Sequence, residues 1–425
     1  MEQEMEQVKD RVLLVGVNLN DDVDFLQSME ELGALAEACN MEVAGQVTQN
    51  LSAINKGLYI GTGKVREVRE LAEELNVDII IFDNALSPSQ LRNLQKETEK
   101  PVMDRTSLIL EIFSTRAKSR EARLQVEVAR LQYLLPRLVG LHDALSRQGG
   151  GSGFSNKGSG EKKLELDRRK IEYRLSELRK ELEEVSKERD TQRKQRQNAG
   201  IARVALVGYT NAGKSTIMNI MVDEYMKEDT KKVLEKDMLF ATLETTVRKI
   251  TAHDSRSFLL SDTVGFISKL PHNLIKAFRS TLEEVKTADL LLHVIDFSDP
   301  HYKEHMRTTS ETLKELEAGE IPVIYVYNKA DLVPGYEELP KLEENGIYMS
   351  AKKRSGLKEL TELIFRTVSG DHVECSMLIP FSEGAVVSYL TSHAEILSTE
   401  YTEEGTLLTV RCGQADYGKF KKFCV

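Results

Sequence analysis

The chain has 425 residues, enough for about two to four domains. Its 40% hydrophobic and 30% charged content is that of a folded protein and excludes collagen-like, mucin-like and wholly disordered chains. With 58 Lys and Arg against 68 Asp and Glu, the net charge of −10 excludes a uniformly basic nucleic-acid coat, though not a local basic patch.

Residues 1–106 read as a small α/β subdomain. Short apolar runs at Arg11–Val17 (RVLLVGV) and Asp78–Asp83 (DIIIFD) have the length of buried strands. Ser28–Cys39 and Val65–Leu75 carry apolar residues at helical spacing, and strands alternating with helices imply a parallel sheet. Tyr59–Lys64 (YIGTGK) is glycine-rich but lacks phosphate-loop spacing and reads as a turn into a helix. The start, MEQEMEQVKD, is acidic and has no signal-peptide pattern, and no run of 18 apolar residues could span a bilayer. A cytoplasmic protein without a membrane span is expected.

Residues 107–198 read as a helical hairpin. Leu124, Val128, Leu131, Leu135 and Leu138 form one apolar seam; Leu164, Ile171, Leu175, Leu178, Leu182 and Val185 form another. A link rich in glycine, Arg147–Glu161, joins them, which suits two antiparallel helices. From Arg116 to Lys170 there are 13 Lys and Arg against 6 Asp and Glu. In an acidic chain, a basic hairpin with a glycine tip (Gly149–Gly160) is suited to RNA phosphates.

Residues 199–370 alternate apolar strands with helices, the doubly wound pattern, whose chemistry sits at the carboxyl ends of the strands. Residues 371–425 hold short mixed segments: a strand then a helix in MLIPFSEGAVVSYLTSHAEI, and a strand in GTLLTVRC. They read as a small α+β module. The four cysteines, Cys39, Cys375, Cys412 and Cys424, are scattered in sequence and read as reduced thiols.

Gly208–Ser215 (GYTNAGKS) fits G-x-x-x-x-G-K-[ST] between a strand and a helix, which makes it a phosphate-binding loop. Gly208 and Gly213 let backbone N–H groups turn onto phosphates, Lys214 bridges the β- and γ-phosphates, and the Ser215 hydroxyl ligates Mg²⁺. The following helix adds its positive end. The first motif thus offers Gly208, Tyr209, Thr210, Asn211, Ala212, Gly213, Lys214, Ser215 and Thr216 as nucleotide contacts. Asp262, Thr263, Val264 and Gly265 form D-x-x-G, with Asp262 on magnesium through water and Gly265 sensing the γ-phosphate. Asn328, Lys329, Ala330 and Asp331 form N-K-x-D, whose aspartate accepts from guanine and leaves ATP unpaired. Ser350, Ala351 and Lys352 follow, with backbone N–H groups for the guanine carbonyl. In this order the four motifs specify a guanine-nucleotide-binding domain.

Between the first two motifs, Leu239–Lys249 offers Thr242, Thr245 and Thr246 for the hydroxyl that meets magnesium only beside a γ-phosphate. Phe266 stands after Gly265, where many small GTPases carry a water-orienting glutamine. Asn211 is a candidate helper through a bound potassium ion, or it only stabilises the loop.

The chain resembles the HflX family of ribosome-associated GTPases. The resemblance rests on Phe82–Gln95 (FDNALSPSQLRNLQ), Asp104–Ala117 (DRTSLILEIFSTRA), Leu124–Leu138 (LQVEVARLQYLLPRL), LSRQGGG, LDRRKI, LFATLE and DTVGFISKLPHNLIKAFRSTLEE. It implies a P-loop GTPase sheet preceded by an α/β subdomain with a helical hairpin and followed by an α+β module. It also implies GTP hydrolysis on the large ribosomal subunit, including its rRNA, by a monomer that separates stalled ribosomes. By the F-A-T-L match, Thr242 is the switch threonine, and Phe240, Ala241, Leu243 and Glu244 join the nucleotide contacts. Lys214, Thr242 and Gly265 would then be catalytic, with Ser215 and Thr242 as magnesium ligands. The chain departs from the family in two places. The loop GGGSGFSNKGSGE replaces one close to GGIGTRGPGE, and ATLETTVR replaces ATLDPTTR. A large-subunit assembly checkpoint and a specialised antibiotic-resistance factor are the alternative roles.

Overall fold

The computed structural model describes all residues except 1–8, 21–23, 148–156, 198–200, 227–238, 241–244, 253–255, 270–283, 369–372 and 413. It divides into two compact units. The first takes Met1–Arg193 with Lys236–Glu244 and Ser268–Ser280; the second takes Lys194–Glu235, Thr245–Ile267 and Thr281–Val425.

The first unit holds a parallel sheet in the order β2-β1-β3-β4, made of β1 (Arg11–Leu19), β2 (Glu42–Leu51), β3 (Ile79–Phe82) and β4 (Val102–Asp104). Helices α1 (Phe25–Ala38), α2 (Thr62–Glu74), α3 (Pro88–Thr98) and α4 (Arg105–Arg116) complete it. Leu13, Val15 and Val17 alternate onto the face packed with Val65, Val68 and Ala72 of α2 and Leu94 of α3. α1 packs on β1 and α4. Gly16 is needed where α1 crosses β1, because a Cβ there would stand 2.2 Å from the Met29 sulfur. The starts of α3 and α4 are set by reciprocal caps, Ser87 with Gln90 and Asp104 with Ser107, each worth about 1 kcal/mol. The Tyr59–Lys64 turn leads into α2, with Gly61 at its N-cap and Lys64 paired to Glu67.

β2 is an edge strand with polar residues along it, so its sequence carries no apolar run. This unit also holds a polar cluster that no sequence motif marks. Arg105 donates to Asp83 at 2.8 Å and contacts Glu31, and Lys269 Nζ lies 2.6 Å from both Asp83 and the Ser28 hydroxyl.

The hairpin consists of α5 (Arg120–Arg147) and α6 (Lys157–Gln197). Leu124, Val128, Leu175 and Leu178 form its core, with Leu131, Leu135, Ile171, Leu182 and Val185 packed against them. Arg120 pairs with Glu181 and Glu127 with Arg174, so one helix rises as the other falls: the pair is antiparallel. These exposed ion pairs set register more than stability. α6 begins at Lys157, so Gly158 and Gly160 are helical although the expected loop ran to Glu161; the rest of the tip lies outside the described residues.

In the second unit, seven strands run in the order β10-β11-β9-β8-β5-β7-β6. They are β5 (Ala202–Val207), β6 (Thr246–Thr251), β7 (Ser257–Asp262), β8 (Leu290–Asp296), β9 (Val323–Asn328), β10 (Lys341–Glu343) and β11 (Gly346–Tyr348). β6 and β10 are antiparallel to their neighbours and the rest are parallel. Val204, Leu206, Leu292, Val294, Ile324 and Val326 meet residues of α7 (Lys214–Tyr225) and α9 (Leu357–Val368) on one face. α8 (Tyr302–Glu315) packs against β8. This is the expected P-loop sheet.

The C-terminal module has β12 (Val373–Ile379), β13 (Glu395–Tyr401) and β14 (Thr406–Cys412) in the order β12-β14-β13, with α10 (Gly384–His393) and α11 (Gln414–Phe420). Three cysteines that are scattered in sequence converge here. Val373 pairs with Cys412 and Met377 with Cys424, which puts both on the side of Cys375. Burial and the two neighbouring thiols push Cys375 up to about 12, and all four cysteines are free thiols. Among the described residues no helix is long and apolar enough to cross a membrane.

Candidate nucleotide site

The loop between β5 and α7 is shaped by glycines. Gly208 has φ 141°, and a Cβ there would stand 2.2 Å from the Val294 carbonyl oxygen; Gly213 has φ 97°, and a Cβ there would stand 2.2 Å from Asn328 Nδ2. Only glycine tolerates both the left-handed backbone and the close approach. Asn211 is exposed at φ 60°, and Thr216 lies in the first turn of α7.

Lys214 is 7% exposed, and its ammonium donates to Gly208 O at 3.0 Å and Tyr209 O at 2.6 Å. Burial pulls its pKa down to about 8, with only Asp262 opposing. The Ser215 hydroxyl donates to Asp262 Oδ2 at 2.8 Å, so the hydroxyl of the first motif and the carboxylate of the second meet.

The two motifs are also joined through the backbone. Phe266 N donates to Gly208 O at 3.1 Å, and Thr210 N donates to Phe266 O at 2.9 Å. Gly265 lies so near that a Cβ would stand 2.8 Å from Thr210 Cα and 3.0 Å from Lys214 Nζ. Phe266 is 2% exposed, so its ring serves the core. Thr263 anchors this segment by donating to Leu206 O at 2.6 Å, and Val264 is buried beside it.

At the end of β9, Asn328 Nδ2 donates to Ala212 O at 2.9 Å, and Asn328 Oδ1 accepts from Ala351 N at 2.9 Å. One buried amide thus ties the phosphate loop to the S-A-K segment. Lys329 has φ 60° and pairs with Asp296 at 2.6 Å, and Ala330 is buried. The Asp331 side chain is 9% exposed. Burial alone would raise its pKa, but hydrogen bonding to Ser350 and the Lys353 ammonium at 3.3 Å hold it below the usual carboxylate value. It is therefore an ionised acceptor near neutral pH. Lys352 is exposed.

All of these residues belong to the second unit. Phe240 belongs to the first, where its ring meets Phe113 edge-on at 4.8 Å. Ala241, Thr242, Leu243 and Glu244 lie outside the described residues. Thr246 opens β6, opposite Asp262.

Two residues of the site were not anticipated from sequence. His305 of α8 stacks on Tyr209 with centroids 3.8 Å apart. His293 of β8, opposite Val207, is 2% exposed, and burial first, then the Lys214 charge, pulls its pKa down to about 4. No motif marks either one, because strand register and helix packing bring them in.

Residues 26–114 match the family described as GTP-binding GTPase N-terminal, 116–196 the GTP-binding GTPase middle region, and 203–329 the 50S ribosome-binding GTPase family. The GTPase HflX of Alkalihalophilus pseudofirmus is 44% identical over 404 residues, covering 94% of this chain and 93% of its own. That of Escherichia coli is 36% identical over 418 residues, covering 97% and 96%. A solved GTP-binding protein of Sulfolobus solfataricus in complex with GDP is 25% identical with a TM-score of 0.44, covering 85% of this chain and 99% of that one. With such identity along nearly its whole length, the chain belongs to the HflX family of GTPases.

Proposed function

We propose that this chain hydrolyses GTP on the large ribosomal subunit and uses the cycle to part stalled ribosomes into subunits. Its membership of the HflX GTPases makes it a GTP hydrolase. The observation that carries the nucleotide assignment is Asn328. Its amide fixes the spacing between the phosphate loop and the Asp331–Ala351 pocket, which suits a guanine nucleotide lying across the two. Asp331, ionised and largely buried, accepts from the N1–H and amino group of guanine; adenine would leave that carboxylate unpaired.

Phosphates meet the backbone N–H groups of Asn211–Thr216 and the positive end of α7. Lys214 exchanges its carbonyl partners for β- and γ-phosphate oxygens. The donor set fits magnesium: Ser215 and Asp262 present hard oxygens already in contact, and Mg²⁺ takes few protein ligands beside phosphates and waters. A magnesium ion held there would supply positive charge against the phosphates during transfer. Ser215 and Asp262 would hold it, with Thr242 as the ligand that switches with the γ-phosphate. Gly265 N–H senses the γ-phosphate. Asn211, exposed in the loop, is the residue to test for potassium by exchanging it for sodium.

Ribosome action is supported by the family description of residues 203–329 and by the basic run Arg116–Lys170, 13 Lys and Arg against 6 Asp and Glu. The chain would then act in the cytoplasm as a monomer, with the hairpin as the rRNA-facing element. Co-sedimentation with purified large subunits tests this. Binding with a non-hydrolysable GTP analogue and release with GDP are expected. Equal recovery with both nucleotides, or none with either, contradicts it.

A further inference from the structure

We propose that the outer face of the sheet at β9 and β11 is a docking surface for a basic, arginine-rich segment of a protein partner. β9 and β11 are parallel neighbours, with Tyr325 opposite Gly346 and Tyr327 opposite Tyr348. Parallel neighbours are ordinarily joined by a helix that covers one face of the sheet. Here residues 329–345 make the crossover with only a short 3-10 turn, Ala330–Leu332, and the three-residue edge strand β10. No helix from the crossover covers that face.

Tyrosine rings stand in its place. Ile324, Val326 and Ile347 point into the core with α7 and α9, so Tyr325, Tyr327 and Tyr348 point the other way. Tyr327 and Tyr348 stack at 4.5 Å, and Phe297 meets Tyr302, Tyr336 and Tyr348 edge-on at 5.3, 4.9 and 4.9 Å. Gly346 makes room, because a Cβ there would stand 3.4 Å from the Tyr327 ring and 2.8 Å from Tyr325 O. Tyr302, Tyr327, Tyr336 and Phe297 remain half-buried, with part of each side chain in solvent.

The chemistry of the occupant follows from charge. Lys341 already lies over Tyr336 and Tyr348 at 5.5 and 5.8 Å, and Lys303 over Tyr302 at 5.9 Å, so these rings accept cations at long range. Glu337, Glu338, Glu343 and Glu344 are exposed on the crossover and β10 beside these rings, against Lys303 and Lys341. That rim repels a phosphate backbone and attracts cations. A guanidinium stacks flat on an aromatic face more closely than an ammonium, which selects arginine over lysine.

The test uses the full chain with its 13 tyrosines replaced by 3-fluorotyrosine and assigned through single Tyr→Phe variants. A nine-residue arginine peptide, the matching lysine peptide and a uridine nonamer are titrated at about 0.15 M salt. The arginine peptide should shift Tyr302, Tyr327 and Tyr336 and bind about tenfold tighter than the lysine peptide. Glu343→Gln with Glu344→Gln, both exposed and safe for folding, should weaken it about tenfold. Tyr336→Ala should do the same while GDP affinity is unchanged. The proposal is overturned if the peptide shifts tyrosines elsewhere equally or binds the glutamine variant as it binds the parent. It is also overturned if the uridine nonamer takes the face more tightly, or if sedimentation shows a second copy of the chain covering it.

Discussion

The Thr210 amide donates to the Phe266 carbonyl at 2.9 Å, so the residue after Gly265 is held by its backbone against the phosphate loop. Phe266 is therefore a structural strut at a position where other GTPases place a catalytic side chain. Turnover of the isolated protein should be slow, on the order of 10⁻⁴ s⁻¹. Phe266→Gln should not raise it more than about twofold, because the side chain faces the core and not the phosphates. It should cost about 2–4 kcal/mol of stability by burying an amide in place of a ring. Single-turnover hydrolysis and denaturant unfolding check both parts; a large gain in rate would show that a side chain at this position reaches the attacking water.

Nucleotide binding should take up a proton near pH 8.5. Burial holds the Lys214 pKa down to about 8 in the free protein, and phosphate oxygens favour the charged form, so its pKa rises on binding. Between the two values the complex binds more protons than the free protein. GDP affinity should fall as pH rises through 8 towards 10, by up to about tenfold per pH unit. Calorimetry at pH 8.5 in two buffers of different ionisation enthalpy measures the uptake. Lys214→Ala should lose nucleotide binding.

Acid should destabilise the second unit through His293. Its pKa is about 4 when folded, against about 6.5 for an ordinary histidine, so the unfolded chain binds more protons between them. The contribution of neutral His293 is fully present above pH 6.5 and is lost as pH falls towards 4, amounting to about 3 kcal/mol. Unfolding followed from pH 7 to 4 should show this slope in the parent and less of it in His293→Leu. Identical slopes would move the effect to other groups.

The hairpin tip should matter to the ribosome and not to the nucleotide. Deleting Gly151–Gly160 should leave GTP affinity unchanged and abolish subunit separation. Large-subunit binding should follow salt with a log–log slope of roughly −0.7 to −0.9 per phosphate contact, and the deletion should flatten it. Separation at the parent rate would make the hairpin a strut.

Much of this was legible in the sequence, for reasons that differ between elements. The strands β1, β3, β5, β8 and β9 are apolar runs because a parallel sheet buries both of their faces. The four nucleotide motifs are local, so spacing alone reveals them. β2 and β13 are edge strands with mixed polarity and gave no run to find. The Tyr209–His305 stack, the Asn328 link and the meeting of Cys375, Cys412 and Cys424 depend on strand register across long sequence separations. Gly158 and Gly160 suggested a loop, yet they lie inside α6.

The central claim is that guanine recognition at Asp331 drives ribosome separation. Asp331→Asn reverses an acceptor into a donor and should move preference from GTP to xanthosine triphosphate. Sucrose-gradient profiles of intact ribosomes test it directly. The parent should release subunits with GTP, and Asp331→Asn should release them with xanthosine triphosphate and not with GTP. Profiles in which the parent leaves ribosomes intact, or in which the variant works equally well with GTP, would contradict the account.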